Sequence, residues 1–117
     1  MLKIIFNSCQ YLEGIVIRCS RTFWNEKEVL ETVAKRSSKN FYELKLHDPE
    51  LLPENLESFL ISWKNQESKK SISLIVVDDK HRLKVREENM KIIEEYKNLG
   101  VIKKFEIRKF CEEELYL

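Results

Sequence analysis

His47 and Asp48 are adjacent in the chain, and Asp78, Asp79 and His81 form a second cluster of the same two residue types. Imidazole and carboxylate together ligate divalent metals, and a metal so held activates water for hydrolysis. Each cluster follows an apolar run that reads as a strand. Both therefore stand at strand C-terminal ends, where open α/β sheets bind ligands. If the two strands are neighbours, the five groups converge, and a small metal-dependent hydrolase becomes the alternative reading of the chain. Asp and His also favour turns, so an ordinary polar loop carries the same residues. Glu43-Leu44-Lys45 has the E-x-K spacing of a nuclease metal site, with both side chains on one strand face. Such a site also needs an upstream Asp. The three Asp residues, Asp48, Asp78 and Asp79, all lie downstream, so the pair reads as a solvated strand face.

Other chemistry-bearing residues point to structure. Cys9, Cys19 and Cys111 are odd in number, and no pair has zinc-ligand spacing. With no export signal read at the N-terminus, where Asn7 and Ser8 interrupt the apolar residues, they are expected as free thiols in a reducing cytoplasm. Trp24 and Trp63 are expected in the core or in a helix-start staple. Gly14 and Gly100 are the only glycines, which excludes a glycine-rich phosphate loop.

The chain of 117 residues fits one domain, and 43% hydrophobic residues supply one core. Lys and Arg total 21 against 20 Asp and Glu, formally +1. A nucleic-acid binder neutralising phosphates carries a basic excess or stripe. That balance offers neither, so nucleic acid is not an expected partner. No apolar run approaches the roughly 20 residues of a membrane span. Charged residues reach 35%, above the roughly 25% of average chains. Their Lys/Glu interleaving, as in Glu87 with Lys91, is that of solvated helix faces.

The elements that position these residues are read from periodicity. Leu2, Ile4 and Phe6 mark a first strand, and Ile15, Val16 and Ile17 a second, with Gly14 supplying unusual dihedrals at the connection. Asn25 caps a helix with Glu28 three residues on, and Val29, Leu30, Val33 and Ala34 form its apolar stripe. Residues 41–46 alternate as a strand. Pro53 suits a helix first turn, followed by Leu56, Phe59, Leu60 and Trp63 at i, i+3, i+4 and i+7. Residues 72–77 are an almost unbroken β-branched run, expected of a strand covered on both faces. Residues 85–99 form a helix with Met90, Ile93 and Tyr96 inward, stopped by Gly100. Residues 101–107 are the last strand, and 112–117 a short terminal helix. The order β-β-α-β-α-β-α-β predicts a single α/β domain over 1–117. Its sheet is mixed and mostly parallel, with the first strands pairing antiparallel.

Within this order, LEGIVIRCSRTFWNEKEVLETV (12–33), FYELKLHD (41–48), SISLIVVDD (71–79) and YKNLGVIKKFEIRKFCEEEL (96–115) carry a resemblance. They resemble successive segments of the STAS domain, the fold of bacterial anti-sigma-factor antagonists. The resemblance spans nearly the whole chain and rests on pattern. It implies a non-catalytic regulatory module without a cofactor, binding a protein partner of the anti-sigma-factor or kinase kind through the second helix and the loop before it. Asp48, Glu54, Asn55, Glu57 and Ser58 are the expected contact residues. The family carries a phosphorylated Ser beside a Gly where that helix begins. Here the stretch reads Leu52-Pro53-Glu54-Asn55-Leu56, and Ser58 lies one turn inside. Glu54 puts a permanent carboxylate in the turn where phosphate would sit, so a member that is not phospho-switched at the usual site is expected.

Overall fold

The structure, a computed structural model, describes residues 11–18, 26–47, 49–66, 69–78 and 87–109. Among these residues four strands alternate with three helices: β1 (Gly14–Arg18), α1 (Glu26–Arg36), β2 (Glu43–His47), α2 (Pro53–Lys64), β3 (Ile72–Asp78), α3 (Glu87–Asn98) and β4 (Ile102–Lys109). The α/β class follows from that alternation. The strand expected over 2–6 and the helix over 112–117 lie outside the described residues, as do Asn25, Trp24 and the three cysteines.

The sheet order is β1-β2-β3-β4, and each neighbouring pair is parallel. Right-handed crossovers between successive parallel neighbours all turn the same way, so they stack their helices on one face. The core agrees. Ile17, Leu44, Leu46, Ile72, Leu74, Val76 and Ile102 from the sheet form one buried cluster with residues of all three helices. α2 is the middle helix, packed between α1 and α3.

Local signals explain the elements. Alternation buries Leu44 and Leu46 under the helices and turns Glu43, Lys45 and His47 to the other face. In α2, Leu56, Phe59, Leu60 and Trp63 are all buried, and Trp63 meets Phe41 edge-on at 6.2 Å between ring centroids. β3 is buried along both faces from Ile72 to Val77, as its composition requires. A register shift between Ile72 and Ser73 leaves Lys103 with no opposite residue. Beyond it, Lys104, Glu106 and Arg108 line up on the sheet face opposite α1, α2 and α3. Glu106 pairs with Lys104 at 3.0 Å and with Arg108 at 2.8 Å, and its bonds to Arg108 and then Lys104 hold its carboxyl down to about 2.

Two glycines have different reasons. Gly100 has φ +80° and closes α3: its N–H reaches Lys97 O at 3.0 Å and that of Val101 reaches Tyr96 O at 2.9 Å, the paired bonds of a Schellman stop. The expectation that Gly14 supplies unusual dihedrals is corrected. Its φ is not positive; instead a Cβ there would meet Glu43 O at 3.1 Å and Glu43 Cβ at 3.2 Å. The absent side chain lets β1 approach β2. The inward stripe of α3 is also corrected. Met90 is exposed, and Asn89 takes the buried position with Ile93 and Tyr96, at i, i+4 and i+7.

Candidate functional site

α2 begins as the sequence requires, but without a side-chain cap. Leu52 stands at its N-cap in extended conformation (φ −69°, ψ 138°), and Pro53 opens the first turn. The N–H groups of Asn55 and Leu56 both bond to Leu52 O, at 3.1 and 3.0 Å. Burying Leu56, Phe59, Leu60 and Trp63 rotates the remaining positions outward. Glu54, Glu57 and Ser58 are exposed and Asn55 is half-buried. Asp48, the fifth expected contact residue, lies outside the described residues.

The outward positions divide between two sides of α2. Glu54, Asn55 and Ser58, with Ser62, form one wall of a groove of about 270 Å³ between α1 and α2. Leu30, Ala34 and Phe59 floor it, and Lys27, Glu31 and Lys35 form the opposite wall. Glu57 instead stands on the α3 side. Burial pushes the Tyr96 phenol up, and the carboxylates of Glu57 and Glu95 push it the same way. Ile61, one turn on from Glu57, is exposed.

The turn before α2 holds a feature that no sequence pattern announces. Leu51 has φ +53°, in the left-handed region that costs a leucine roughly 1–2 kcal/mol. Three restraints keep it there. Both carboxylate oxygens of Glu26, at the start of α1, accept its N–H at 3.0 Å. Asn89 Nδ2, in the first turn of α3, donates to its C=O at 2.8 Å. Its side chain is buried in the core. Burial raises the pKa of Glu26, the Leu51 N–H lowers it, the Glu50 carboxylate raises it, and the Glu50 backbone N–H lowers it. Asn89 is the one readable signal: an amide where the helical period calls for an apolar side chain.

Of the two candidate metal-ligand clusters, only His47 and the backbone of Asp78 fall among the described residues. β2 and β3 are neighbours, with His47 opposite Val77. Asp48, Asp79 and His81 lie outside the described residues, and no group of three metal-ligating side chains occurs among the described ones. Glu43 and Lys45 share the sheet face opposite α1, α2 and α3. No described helix is long and apolar enough to cross a membrane. Comparison with protein-family models, with curated proteins and with solved structures found no match.

Proposed function

We propose that this protein is a non-catalytic regulatory module resembling the STAS domain, acting in the cytoplasm by binding a regulatory protein through the first two turns of α2. The observation that carries this reading is the groove wall. Glu54, Asn55 and Ser58, expected as contact residues, stand together along one side of an open cleft with an apolar floor. The β-α alternation of residues 14–109 supports it, being the element order the resemblance implies. Glu54 supplies negative charge at the helix N-terminus in place of a switchable phosphate. Ser58 is exposed but sits a turn inside the helix. No cofactor is required.

Affinity capture from native extract, followed by mass spectrometry, tests the reading when wild type is run beside Glu54→Arg/Ser58→Arg. A protein retained by wild type and lost with the double variant, at unchanged circular dichroism, supports it. Equal retention by both overturns it. Incubation with the captured kinase, if one is captured, is expected to leave residues 55–58 free of phosphate.

A further inference from the structure

The hydrogen bonds of the sheet decide which backbone groups of β4 remain at its outer side. The N–H of Ile72 donates to Val101 O at 2.9 Å, and that of Ser73 donates to Tyr42 O at 2.6 Å. Even-numbered residues of β3 therefore bond toward β4, and odd-numbered ones toward β2. In a parallel ladder the residue opposite a bonding residue turns its own N–H and C=O away. Leu74, Val76 and Asp78 stand opposite Phe105, Ile107 and Lys109. The N–H and C=O groups of those β4 residues thus point out of the sheet. Among the described residues β4 has a neighbour on one side only, so nothing described pairs with them.

This edge is unequal along its length. Its first half is guarded, because the register shift leaves Lys103 unmatched and both Lys103 and Lys104 are exposed. Irregularities and lysines are devices that keep an edge from pairing. Beyond the shift the ladder runs regularly to Lys109. There Ile107 is 38% exposed and Phe105 half-buried, on the face that carries the helices. On the other face Glu106 is bonded between Lys104 and Arg108.

Charge selects both the occupant and the register. An antiparallel copy of the strand centred on Ile107 sets Glu106 against the second copy's Arg108 in both directions, and Ile107 against Ile107. It also joins the outward backbone groups of 105 to those of 109, and those of 107 to their own copies. Centring on Glu106 opposes like charges, Glu106 with itself and Lys104 with Arg108. Centring on Phe105 runs the ladder into the irregularity at Lys103. We propose that this protein associates with a second copy of itself through β4, residues 105–109 pairing antiparallel about a twofold axis at Ile107. The two sheets become one, with the helices of both copies on the same side. Of the three helices only α3 packs on β4, so the α1–α2 groove is not involved and the partner reading is tested separately.

Edge pairing over so few residues falls at the small end of interface sizes, below about 1,200 Å², where association is weak. The test is sedimentation equilibrium of the full chain from about 5 to about 500 µM, a range that resolves micromolar association. The apparent mass is expected to rise from that of one chain toward that of two. Ile107→Glu sets like charges together at the axis and is expected to weaken association at least about tenfold. Glu106→Arg and Arg108→Glu are each expected to stay single alone and to associate when mixed, because each supplies the charge the other now lacks. Recovery on mixing is specific to the Ile107 register, and a variant that had failed to fold could not give it. Amide hydrogen exchange at Phe105 and Ile107 is expected to slow with rising concentration, while Glu106 and Arg108, whose N–H groups face β3, do not change. A single-chain mass up to the highest concentration overturns the proposal and leaves the edge to water or to a foreign strand. Association unaffected by Ile107→Glu, or mixed variants that stay apart, overturns it as well.

Discussion

The Nζ of Lys69 donates to the carbonyl oxygens of Ala34 at 2.8 Å and Val33 at 3.5 Å and to the Ser37 hydroxyl, and lies 4.3 Å over the Trp63 ring. Gln66 Nε2 reaches Ala34 O at 2.6 Å. A loop residue thus closes the C-terminal end of α1, where carbonyls lack intrahelical partners. Burial pushes the ammonium from 10.5 down to about 8. Between those values the unfolded chain binds one more proton at this site than the folded chain. The stability contributed here therefore rises with pH from about 8 to about 10.5. Tyr96, with its phenol pushed up from 10.0, acts in the opposite sense above that value. Comparing wild type with Lys69→Met cancels the tyrosine. Urea unfolding is expected to show wild type gaining on the variant across that window. A gap that narrows with rising pH would mean that the carbonyls and the ring hold the proton more strongly than burial expels it. At Gly100, a Cβ would meet nothing within 4 Å, so Gly100→Ala isolates the conformational term. With φ at +80°, the expected cost is about 1 kcal/mol, measured by chemical denaturation.

At the scale of elements, α2 has two faces with opposite sensitivities. Leu60 is fully buried, and Leu60→Ala is expected to cost about 2–5 kcal/mol by denaturant melts. Ser58→Ala, on the outward face, is expected to stay within about 0.5 kcal/mol while weakening partner capture. Equal losses from the two would mean that the helix is covered on both sides. This helix was fully legible in the sequence, because Pro53 sets its start and four apolar residues keep the 3.6 period. The strands at 43–47 and 72–78 were legible through alternation and β-branching. The Leu51 turn was not, because its left-handed backbone is imposed by Glu26 and Asn89, which lie 25 and 38 residues away in sequence. Met90 misled for the same reason: Asn89, linked through Leu51 to Glu26 of α1, claims the inward position that hydrophobicity alone awards to methionine. The groove wall was legible as a helix face, but its division, with Glu57 turned to α3, depends on which helix packs on which side.

Across the whole molecule, parallel winding makes the three helices point the same way, and this sorts charge that the sequence total conceals. Acidic residues occupy the first turns (Glu26 and Glu28, Glu54, Glu87 and Glu88), while Lys35, Arg36, Lys64 and Lys97 occupy the last turns. Each favours its own helix dipole by about 0.3–1 kcal/mol. Because the helices share a direction, the first turns of all three, beside the strand C-termini, are acidic and the last turns, at the opposite end, are basic, in a chain of formal charge +1. Lys64→Glu/Lys97→Glu is expected to lower stability by about 1–4 kcal/mol at low salt, since each reversal loses a favourable end charge and gains an unfavourable one. Lys70→Glu/Lys103→Glu changes the same net charge at the same edge but off the helices, and is expected to cost clearly less. Raising the salt to about 1 M shortens screening to about 3 Å and should largely erase the difference between the two pairs. Denaturant melts of both pairs at low and high salt measure it directly. Equal losses from the two pairs at low salt would assign the effect to the edge's overall potential and not to helix ends, and the charge sorting would then reflect the sequence of turns without a stabilising role.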